Sequence, residues 1–353
     1  MRKLLVYVPT FRGSERLEIF VKRYVEEVKG LENEVYLHIN DNSSDFLVPA
    51  GPLLSPELGI LTNNESNIGA AKNVNKVFTF NNKYEYTWVL GDDDILTKGS
   101  LKRLIKLLNE KSPDYIFVNT VTFPDKIKDE VIKLFFKQSF LPLKQGRIKS
   151  RKSKKVIEIP FNQLIDPEVD EVMLGSIMCG VFKTDLVKDH SSINFPNDAK
   201  LSVWSSYPHV INYANSLPPG AKSVYDPFLY TFNFWNGGNT WKKELDVVVA
   251  LGILNSIKHF SENGHVDSIQ EAKLIKHYLC ISSSSRKKLY EINDDAINKQ
   301  FAAVSPYLMS RLNKHSFSSK SDLCVGIIIK LWLRKVIPKR LFEKLRVVRT
   351  QFS

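Results

Sequence analysis

The first 120 residues alternate between short apolar runs and amphipathic helical patterns, and this alternation constrains the fold more than any other feature. Nearly continuous apolar runs, typical of strands buried on both faces of a sheet, occur at Leu4–Val8, Val35–Ile39 and Tyr86–Leu90. Apolar residues recur at helical spacing in Ser14–Val28 and Lys98–Asn109. Strands that alternate with helices predict a parallel sheet covered by helices on both faces.

Shorter elements complete this pattern. Strands are predicted at Gly59–Thr62 and Tyr115–Val118, and a helix opens within Asn64–Asn73 and runs to about Phe80. Residues 245–313 are predicted to be helical and carry no recognisable chemistry. We therefore expect an α/β domain over residues 1–244 and a helical region over residues 245–353.

The composition of the chain is that of an ordinary globular protein, and its net charge suggests an anionic partner. Of its 353 residues 43% are hydrophobic and 25% charged, and the formal net charge is +12. This positive charge suggests binding to a nucleotide, a nucleic acid or a membrane surface. Three scattered cysteines, Cys179, Cys280 and Cys324, fit no metal-binding spacing and suggest a reducing compartment. We expect neither a signal peptide nor a membrane-spanning helix.

Three consecutive carboxylates, Asp92, Asp93 and Asp94, follow the apolar run Tyr86–Leu90. Adjacent ionised side chains repel one another and lose hydration at a partly buried strand end, so a bound cation would stabilise them. Carboxylate oxygens are ligands that Mg²⁺ and Mn²⁺ prefer, often together with the phosphates of a substrate. In an open α/β sheet the ligand lies beyond the carboxyl ends of the strands, where this triplet is placed. The alternative is an acidic turn that caps the helix beginning near Lys98.

Polar loops also follow the first two strands of the predicted sheet. Because the carboxyl ends of parallel strands meet at one edge, we expect these loops and the triplet to converge there. This is a nucleotide-binding layout. The sequence has neither the G-x-G-x-x-G dinucleotide motif nor a P-loop lysine motif.

Four motifs occur in order along this half of the chain. They are Pro9-Thr10-Phe11-Arg12, Asp41-Asn42-Ser43-Ser44-Asp45, Asn67-Ile68-Gly69 with Lys72-Asn73, and Leu90-Gly91-Asp92-Asp93-Asp94. Together they resemble the family 2 glycosyltransferases of the GT-A fold, closely over residues 3–120 and loosely over residues 170–240. The stretch Trp88–Gly99 looks most like the branch with abequosyltransferase-like enzymes of bacterial surface polysaccharides. The resemblance implies a GT-A-type, Rossmann-like, mixed and mostly parallel sheet, and inverting transfer from a nucleotide-sugar.

The resemblance places the donor nucleotide at the ends of the first two strands. Asp41 matches the carboxylate that accepts the N–H of the base. The base and ribose would be lined by Pro9, Thr10 and Arg12. A UDP-sugar is the expected donor, but the base stays open because the first Asp of the family's usual pair is Asn40 here. The alternatives are an Asx-turn or helix cap for Asp41 and a solvated surface charge for Arg12.

The diphosphate is expected at a helix start that includes Asn67, Gly69 and Lys72. A helix N-terminus offers free N–H groups to anions, and Gly69 allows close approach of the backbone. Lys72 matches a basic position in the family. The alternative is a capped helix with a solvated lysine.

The resemblance also assigns roles within the triplet. Asp94, together with Asp92, would bind Mn²⁺ or Mg²⁺, and Asp92 would also bind the ribose or the sugar. Asp93 could serve either role. A divalent cation neutralises the negative charge that grows on the departing nucleoside diphosphate.

Inversion needs one general base to take the proton of the acceptor hydroxyl. The first candidates are His209 and Asp198. His209 begins a helical pattern where the family's base would fall, and its ordinary pKa suits proton transfer near neutral pH. The alternative for His209 is a buried structural histidine among aromatic residues. The next candidates are Asp170 and Glu171.

Three further segments are candidates for closing the site or binding partners. Phe232–Asn239 is predicted to be a flexible aromatic loop over donor and acceptor, and the alternative is a plain turn before the next helix. Lys144–Lys155 has seven basic residues and no acidic one, so we expect a mobile loop that is either solvated or binds a phosphorylated or lipid-diphosphate acceptor. Residues 320–353 carry nine basic and two acidic residues in an apolar pattern. Such a basic amphipathic segment is typical of a membrane-surface anchor, and the alternative is an ordinary packed helix.

These features predict a metal-dependent inverting glycosyltransferase that builds a bacterial surface glycan of the lipopolysaccharide O-antigen or capsule type. Its acceptor would be a glycan or lipid-linked glycan, and the protein would lie in the cytoplasm on the anionic inner face of the cell membrane. Two alternatives are a sugar nucleotidyltransferase, which usually has a Gly-rich basic loop after the first strand, and a nucleic-acid-binding protein. No nucleic acid is expected, because the basic residues cluster in two segments.

Overall fold

The computed structural model describes residues 1–43, 54–79, 83–136, 142–170, 174–188, 208–235 and 252–281. The chain divides into two compact units, Met1–Asn239 and Thr240–Ser353. Several of the sequence-based predictions lie outside the described residues: the candidate bases Asp198 and Glu171, the second half of the loop Phe232–Asn239, and the basic segment 320–353.

A mixed sheet organises the first unit. Its described strands are β1 Arg2–Thr10, β2 Val35–Asp41, β3 Gly59–Asn63, β4 Tyr84–Val89, β5 Ile95–Leu96, β6 Tyr115–Pro124, β7 Arg147–Ile148, β8 Ile157–Pro160, β9 Gly180–Lys183 and β10 Lys222–Trp235. Their order is β3-β2-β1-β4-β9-β6-β10-β5, with β7 beside β6 and β8 beside β10. The pairs β1–β2, β1–β4, β2–β3 and β6–β10 are parallel, whereas β9 lies antiparallel between β4 and β6. The prediction of a mixed sheet with a mostly parallel core is confirmed.

Helices flank this sheet. They are α1 Ser14–Glu27, α2 Ala70–Asn75, α3 Ser100–Lys111, α4 Lys128–Phe136 and α5 Pro208–Ser216. The second unit, described by itself, contains α6 Ile253–Glu262 and α7 Ser268–Ile281. The apolar faces of α1 and α3 share one core with strands β1, β2 and β4, as their spacing predicts. Within the described ranges no helix is long and apolar enough to cross a membrane.

Pairing between strands explains where the bounds differ from the prediction. β2 continues through Asn40 and Asp41, which were expected in a loop, because they pair with the last two residues of β1. A short strand, β5, follows the triplet because it pairs with β10, and α3 therefore begins at Ser100 rather than Lys98. The helix expected to reach Phe80 ends at Asn75 and continues as a 3₁₀ turn.

The basic segment Lys144–Lys155 was expected to be a mobile loop; most of it lacks regular secondary structure, but part of it pairs with the sheet. Its residues Arg147 and Ile148 form β7 against the end of β6. Lys152 forms an ion pair with Asp166 at 2.5 Å. Backbone pairing and this ion pair hold the segment against the sheet, while most of its basic side chains stay exposed.

The segment Phe232–Asn239 was expected to be a flexible aromatic loop, and its first half is instead part of a strand. Phe232 and Phe234 lie in β10 and pack in a buried cluster with Ile95 and Phe123. Parallel pairing with β6 continues to the end of β10, so backbone hydrogen bonds fix these residues. The second half of the predicted loop lies outside the described residues.

Arg103 on α3 forms a two-point ion pair with Asp226 on β10, with N–O distances of 2.8 and 3.0 Å. The buried carboxylate also accepts the hydroxyl of Tyr230 at 2.8 Å. We expect Arg103→Met to lower the free energy of unfolding by about 2–4 kcal/mol, because it leaves a buried carboxylate without its cation. In urea unfolding, Lys106→Met on the same helix should cost less than about 0.5 kcal/mol, since its pair with Glu110 is exposed. Equal losses in the two variants would contradict this expectation.

Candidate functional site

The carboxyl ends of β1, β2 and β4 bring most of the predicted donor-binding residues to one edge of the sheet. Thr10 pairs with Asp41 where β1 and β2 end. The N–H of Leu90 donates to the carbonyl of Tyr7 at 2.9 Å, so the turn that carries the triplet leaves the sheet beside β1. The predicted convergence of three strand ends is therefore present.

Asp92 points toward the end of β1. Its Oδ2 accepts hydrogen bonds from Thr10 Oγ1 at 2.6 Å and from Arg16 Nη2 at 3.2 Å. Burial raises the pKa of Asp92 to about 6, and the charge of Arg16 opposes that rise. A Cβ on Gly13 would lie 2.0 Å from the same oxygen, so only glycine fits there. Sequence reasoning missed both residues, although Gly13 directly follows the first motif and Arg16 lies three positions further on.

Asp94 is only 1% exposed, and neutral groups hold it. The N–H of Gly91 donates to Oδ2 at 2.7 Å, and Nδ2 of Asn233 donates to Oδ1 at 2.8 Å. Burial raises the pKa of Asp94 to about 8, and the charge of Asp93 acts in the same direction. In the described part of the chain no ion pair reaches this carboxylate, which is therefore a buried acid without a compensating cation.

Asp93 lies close to Asp94, since a Cβ on Gly91 would lie 2.7 Å from Oδ1 of Asp93 and 3.1 Å from Oδ2 of Asp94. It lines an open cleft together with Arg16, Asp125, Lys128 and Phe234. Burial raises the pKa of Asp93 as well. Asp93 and Asp94 are therefore neighbours, but among the described residues the triplet is not arranged as a group of three side chains that could hold a metal ion.

A network of asparagine side chains joins the strand ends to α2. Nδ2 of Asn73 donates to the carbonyls of Thr10 and Asn40 at 3.3 and 3.2 Å, and Nδ2 of Asn40 donates back to Asn73. Nδ2 of Asn42 donates to Oδ1 of Asn67 at 2.7 Å. Sequence reasoning gave a role only to Asn67. The signal it missed is the recurrence of asparagine at successive strand ends.

The residues predicted around the base and ribose occupy different environments. Asp41 is buried and accepts hydrogen bonds from the N–H and hydroxyl of Ser43, so the Asx-turn is present. Pro9 is half-buried. Arg12 is exposed, has a left-handed φ of 53°, and lies over the ring of Phe11 at 5.4 Å. Contact of these residues with a nucleotide stays a prediction.

The predicted diphosphate site has a weaker basis in the structure. Gly69 adopts a φ of 84°, which favours glycine, and precedes α2. That helix has only six residues, so its dipole is short. Asn67 and Lys72 are exposed at this edge. A role for these three residues stays a prediction.

The candidate base His209 lies at the start of α5 in an aromatic environment. It is buried, and its ring meets the edge of Tyr213 at a centroid distance of 5.8 Å. Burial lowers the pKa of His209 to about 4, so the argument that its ordinary pKa suits a general base is wrong. Asp170, the fallback candidate, is buried and accepts hydrogen bonds from the N–H and hydroxyl of Ser176. No described contact links His209 to the triplet.

Comparison with known proteins identifies the first half of the chain. Residues 5–174 match the family described as "Glycosyl transferase family 2". These residues form a family 2 glycosyltransferase domain. The glycosyltransferase domain makes the chain an enzyme, which decides against the nucleic-acid-binding and nucleotidyltransferase alternatives. No curated protein matches the chain, and the abequosyltransferase-like branch stays a prediction.

Solved structures show that the domain has the GT-A fold. The complex of S. aureus TarS 1-349 with UDP has a TM-score of 0.56 at 14% identity, covering 98% of this chain and 91% of that one. The complex of the same protein with UDP-GlcNAc has a TM-score of 0.54 at 16% identity, covering 96% and 92%. The predicted fold class is thereby confirmed.

The resemblance implies a divalent cation. The site fits one for which the substrate supplies part of the ligands. Among the described residues no three His, Cys, Asp or Glu side chains are arranged to hold a metal ion. Asp94, however, is a buried carboxylate bonded only to neutral donors. Mg²⁺ is commonly bound by one or two carboxylates together with substrate phosphates. Asp94 fits such a substrate-assisted site, whereas Asp92 already bonds to Thr10 and Arg16.

Proposed function

We propose that this protein is a metal-dependent inverting glycosyltransferase that transfers a sugar from a UDP-sugar to a hydroxyl of a bacterial surface glycan. The observation that carries the proposal is the buried Asp94 at the edge where the carboxyl ends of β1, β2 and β4 meet. A cation there would compensate the buried charge of Asp94 and would at the same time bind the diphosphate of the donor. The UDP and UDP-GlcNAc bound in S. aureus TarS, which shares this fold, support a UDP-sugar.

The residues of this chain would mainly orient the donor. Thr10 and Arg16 hold Asp92 at the end of β1, where it would accept a hydroxyl of the ribose or sugar. Gly91 and Asn233 fix the two oxygens of Asp94. When bound, Mn²⁺ or Mg²⁺ would neutralise the charge on the leaving diphosphate. Orientation before the reaction removes part of its entropic cost.

The general base would take the proton of the acceptor hydroxyl while its oxygen attacks the anomeric carbon from the face opposite the diphosphate. His209 and Asp198 stay the candidates, with Asp170 and Glu171 next. An imidazole whose pKa burial lowers to about 4 is neutral at pH 7 but weakly basic. That property favours a carboxylate near the site over His209.

His209 should make the protein sensitive to acid. Its pKa is about 4 in the folded protein against 6.5 ordinarily, so the neutral ring's contribution to stability is complete above pH 6.5 and is lost toward pH 4. The free energy of unfolding should therefore decline between pH 6.5 and pH 4. We expect His209→Gln to remove up to about 3 kcal/mol of that decline. Urea unfolding across this window measures it. Because His38 has a similarly lowered pKa, His38→Gln should also flatten the decline. An unchanged slope for His209→Gln would contradict the expectation.

The acceptor would be a glycan or lipid-linked glycan at the inner face of the cell membrane. The exposed basic side chains Lys144, Arg151, Lys154 and Lys155 support an acceptor that carries phosphate. The basic composition of residues 320–353 supports attraction to an anionic membrane surface. The protein would then act in the cytoplasm as a peripheral membrane enzyme.

Donor hydrolysis tests the proposal without knowledge of the acceptor. We expect release of nucleoside diphosphate from at least one UDP-sugar in the presence of Mn²⁺, and loss of that release after EDTA. Release that resists EDTA would contradict the metal dependence. Absence of release across UDP-, GDP- and dTDP-sugars, with and without glycan acceptors, would contradict the nucleotide-sugar donor.

A further inference from the structure

Strand β10 reaches the triplet from far along the chain. Phe232 pairs with Ile95 and Thr231 with Leu96 in an antiparallel register. The next residue of β10, Asn233, therefore lies beside Asp94, the residue before β5. Its Nδ2 donates to Oδ1 of Asp94 at 2.8 Å.

The other end of the same amide is unusual. Asn233 is 7% exposed, and its Oδ1 is fully buried without a hydrogen-bond donor among the described residues. A buried amide oxygen that lacks a partner costs about 1–3 kcal/mol. Native proteins keep few such groups, and each one calls for an explanation such as a bound ion or water. Here the oxygen belongs to a side chain already fixed against a buried carboxylate.

We propose that Asn233 belongs to the cation site: its Nδ2 orients Asp94, and its Oδ1 supplies a neutral oxygen ligand to the same Mn²⁺ or Mg²⁺ ion. Amide oxygens are ordinary ligands of hard divalent cations. The ligand set would then be Asp94, Asn233 and substrate phosphates, while Asp92 stays bonded to Thr10 and Arg16. This inference rests on the proposed metal-dependent function.

Manganese binding tests the inference separately from activity. The free-ion EPR signal is followed during Mn²⁺ titration of the full-length protein, with and without UDP. We expect Asn233→Leu to weaken Mn²⁺ binding at least about tenfold, because it removes both the oxygen and the hydrogen bond to Asp94. We expect Asn233→Asp to bind Mn²⁺ at least as tightly as the wild type, since it keeps an oxygen ligand and adds charge.

The Asn233→Asp variant separates a ligand from a residue that only positions Asp94. An ionised carboxylate at this position cannot donate to Asp94, so a purely positioning role predicts weak binding for both substitutions. Weak binding by Asn233→Asp, or wild-type binding by Asn233→Leu, would overturn the inference. Asn109 on α3 is exposed, and Asn109→Leu and Asn109→Asp are the matched controls. Should Asn233→Leu lack a cooperative thermal transition, Asn233→Ala takes its place.

The wild-type titration distinguishes a failure of the role proposed for Asn233 from a failure of the proposed metal dependence. Tight binding by the wild type and by every variant overturns the role of Asn233 alone. Absence of binding by the wild type, with and without UDP, overturns the proposed metal dependence and this inference together.

Discussion

Asp94→Asn is expected to lower sugar transfer by at least about 100-fold while the protein stays folded, because the charge that would hold the cation is lost. The substitution keeps the shape of the side chain, and one oxygen remains to accept the N–H of Gly91. Steady-state release of nucleoside diphosphate measures the loss. Asp129→Asn, at an exposed position on α4, is the matched control and should keep full activity.

The same variant should gain stability when no cation is bound. Burial raises the pKa of Asp94 to about 8, so the stability contributed by its protonated form is complete below the ordinary value of 3.8 and lost as the pH rises through 8. Asparagine has no charge to bury, so the melting temperature of Asp94→Asn at pH 8 with EDTA should equal or exceed that of the wild type. A variant that stays active and metal-dependent would refute the role of Asp94.

Gly13→Ala is expected to lower transfer at least about tenfold with little change in stability. The added Cβ would lie 2.0 Å from Oδ2 of Asp92 and 2.5 Å from Oγ1 of Thr10, so the hydrogen bond between them must break. Asp92 would then turn away from the strand end, and the KM for the donor should rise. Donor-hydrolysis kinetics and a thermal melt measure the two effects.

The control for Gly13→Ala is Gly220→Ala, where an added Cβ meets nothing within 4 Å. That variant should keep the wild-type KM and melting temperature. Normal kinetics in Gly13→Ala would show that the bond between Thr10 and Asp92 has no part in donor binding. A collapse of the melting temperature would show instead that Gly13 serves the fold.

Local sequence patterns predict most of the domain's first half. Continuous apolar runs identify the parallel strands, and helical spacing identifies α1 and α3 to within a few residues. The same patterns place the triplet after a buried strand, because a strand end and its polar loop are neighbours in sequence. These patterns locate the polar residues at the strand ends, and the family resemblance then assigns them roles in binding the donor and the metal.

Features that depend on distant pairing escape such reasoning. Asn233 lies 139 positions from Asp94 in the sequence, and no local sequence pattern near either residue predicts their contact. The antiparallel strand β9 enters the sheet between β4 and β6, which alternation of strands and helices does not predict. The burial of His209, which lowers its pKa to about 4, comes from packing that the sequence does not display.

The central claim is that the edge of the sheet that carries Asp92, Asp93 and Asp94 binds a cation together with the donor's diphosphate. A crystal grown with UDP and Mn²⁺, measured at the manganese absorption edge, tests it most directly. The account predicts an anomalous peak within coordination distance of a carboxylate oxygen of Asp94, with the diphosphate bound to the same ion. UDP bound elsewhere on the protein, with no anomalous peak at this edge, would contradict the account.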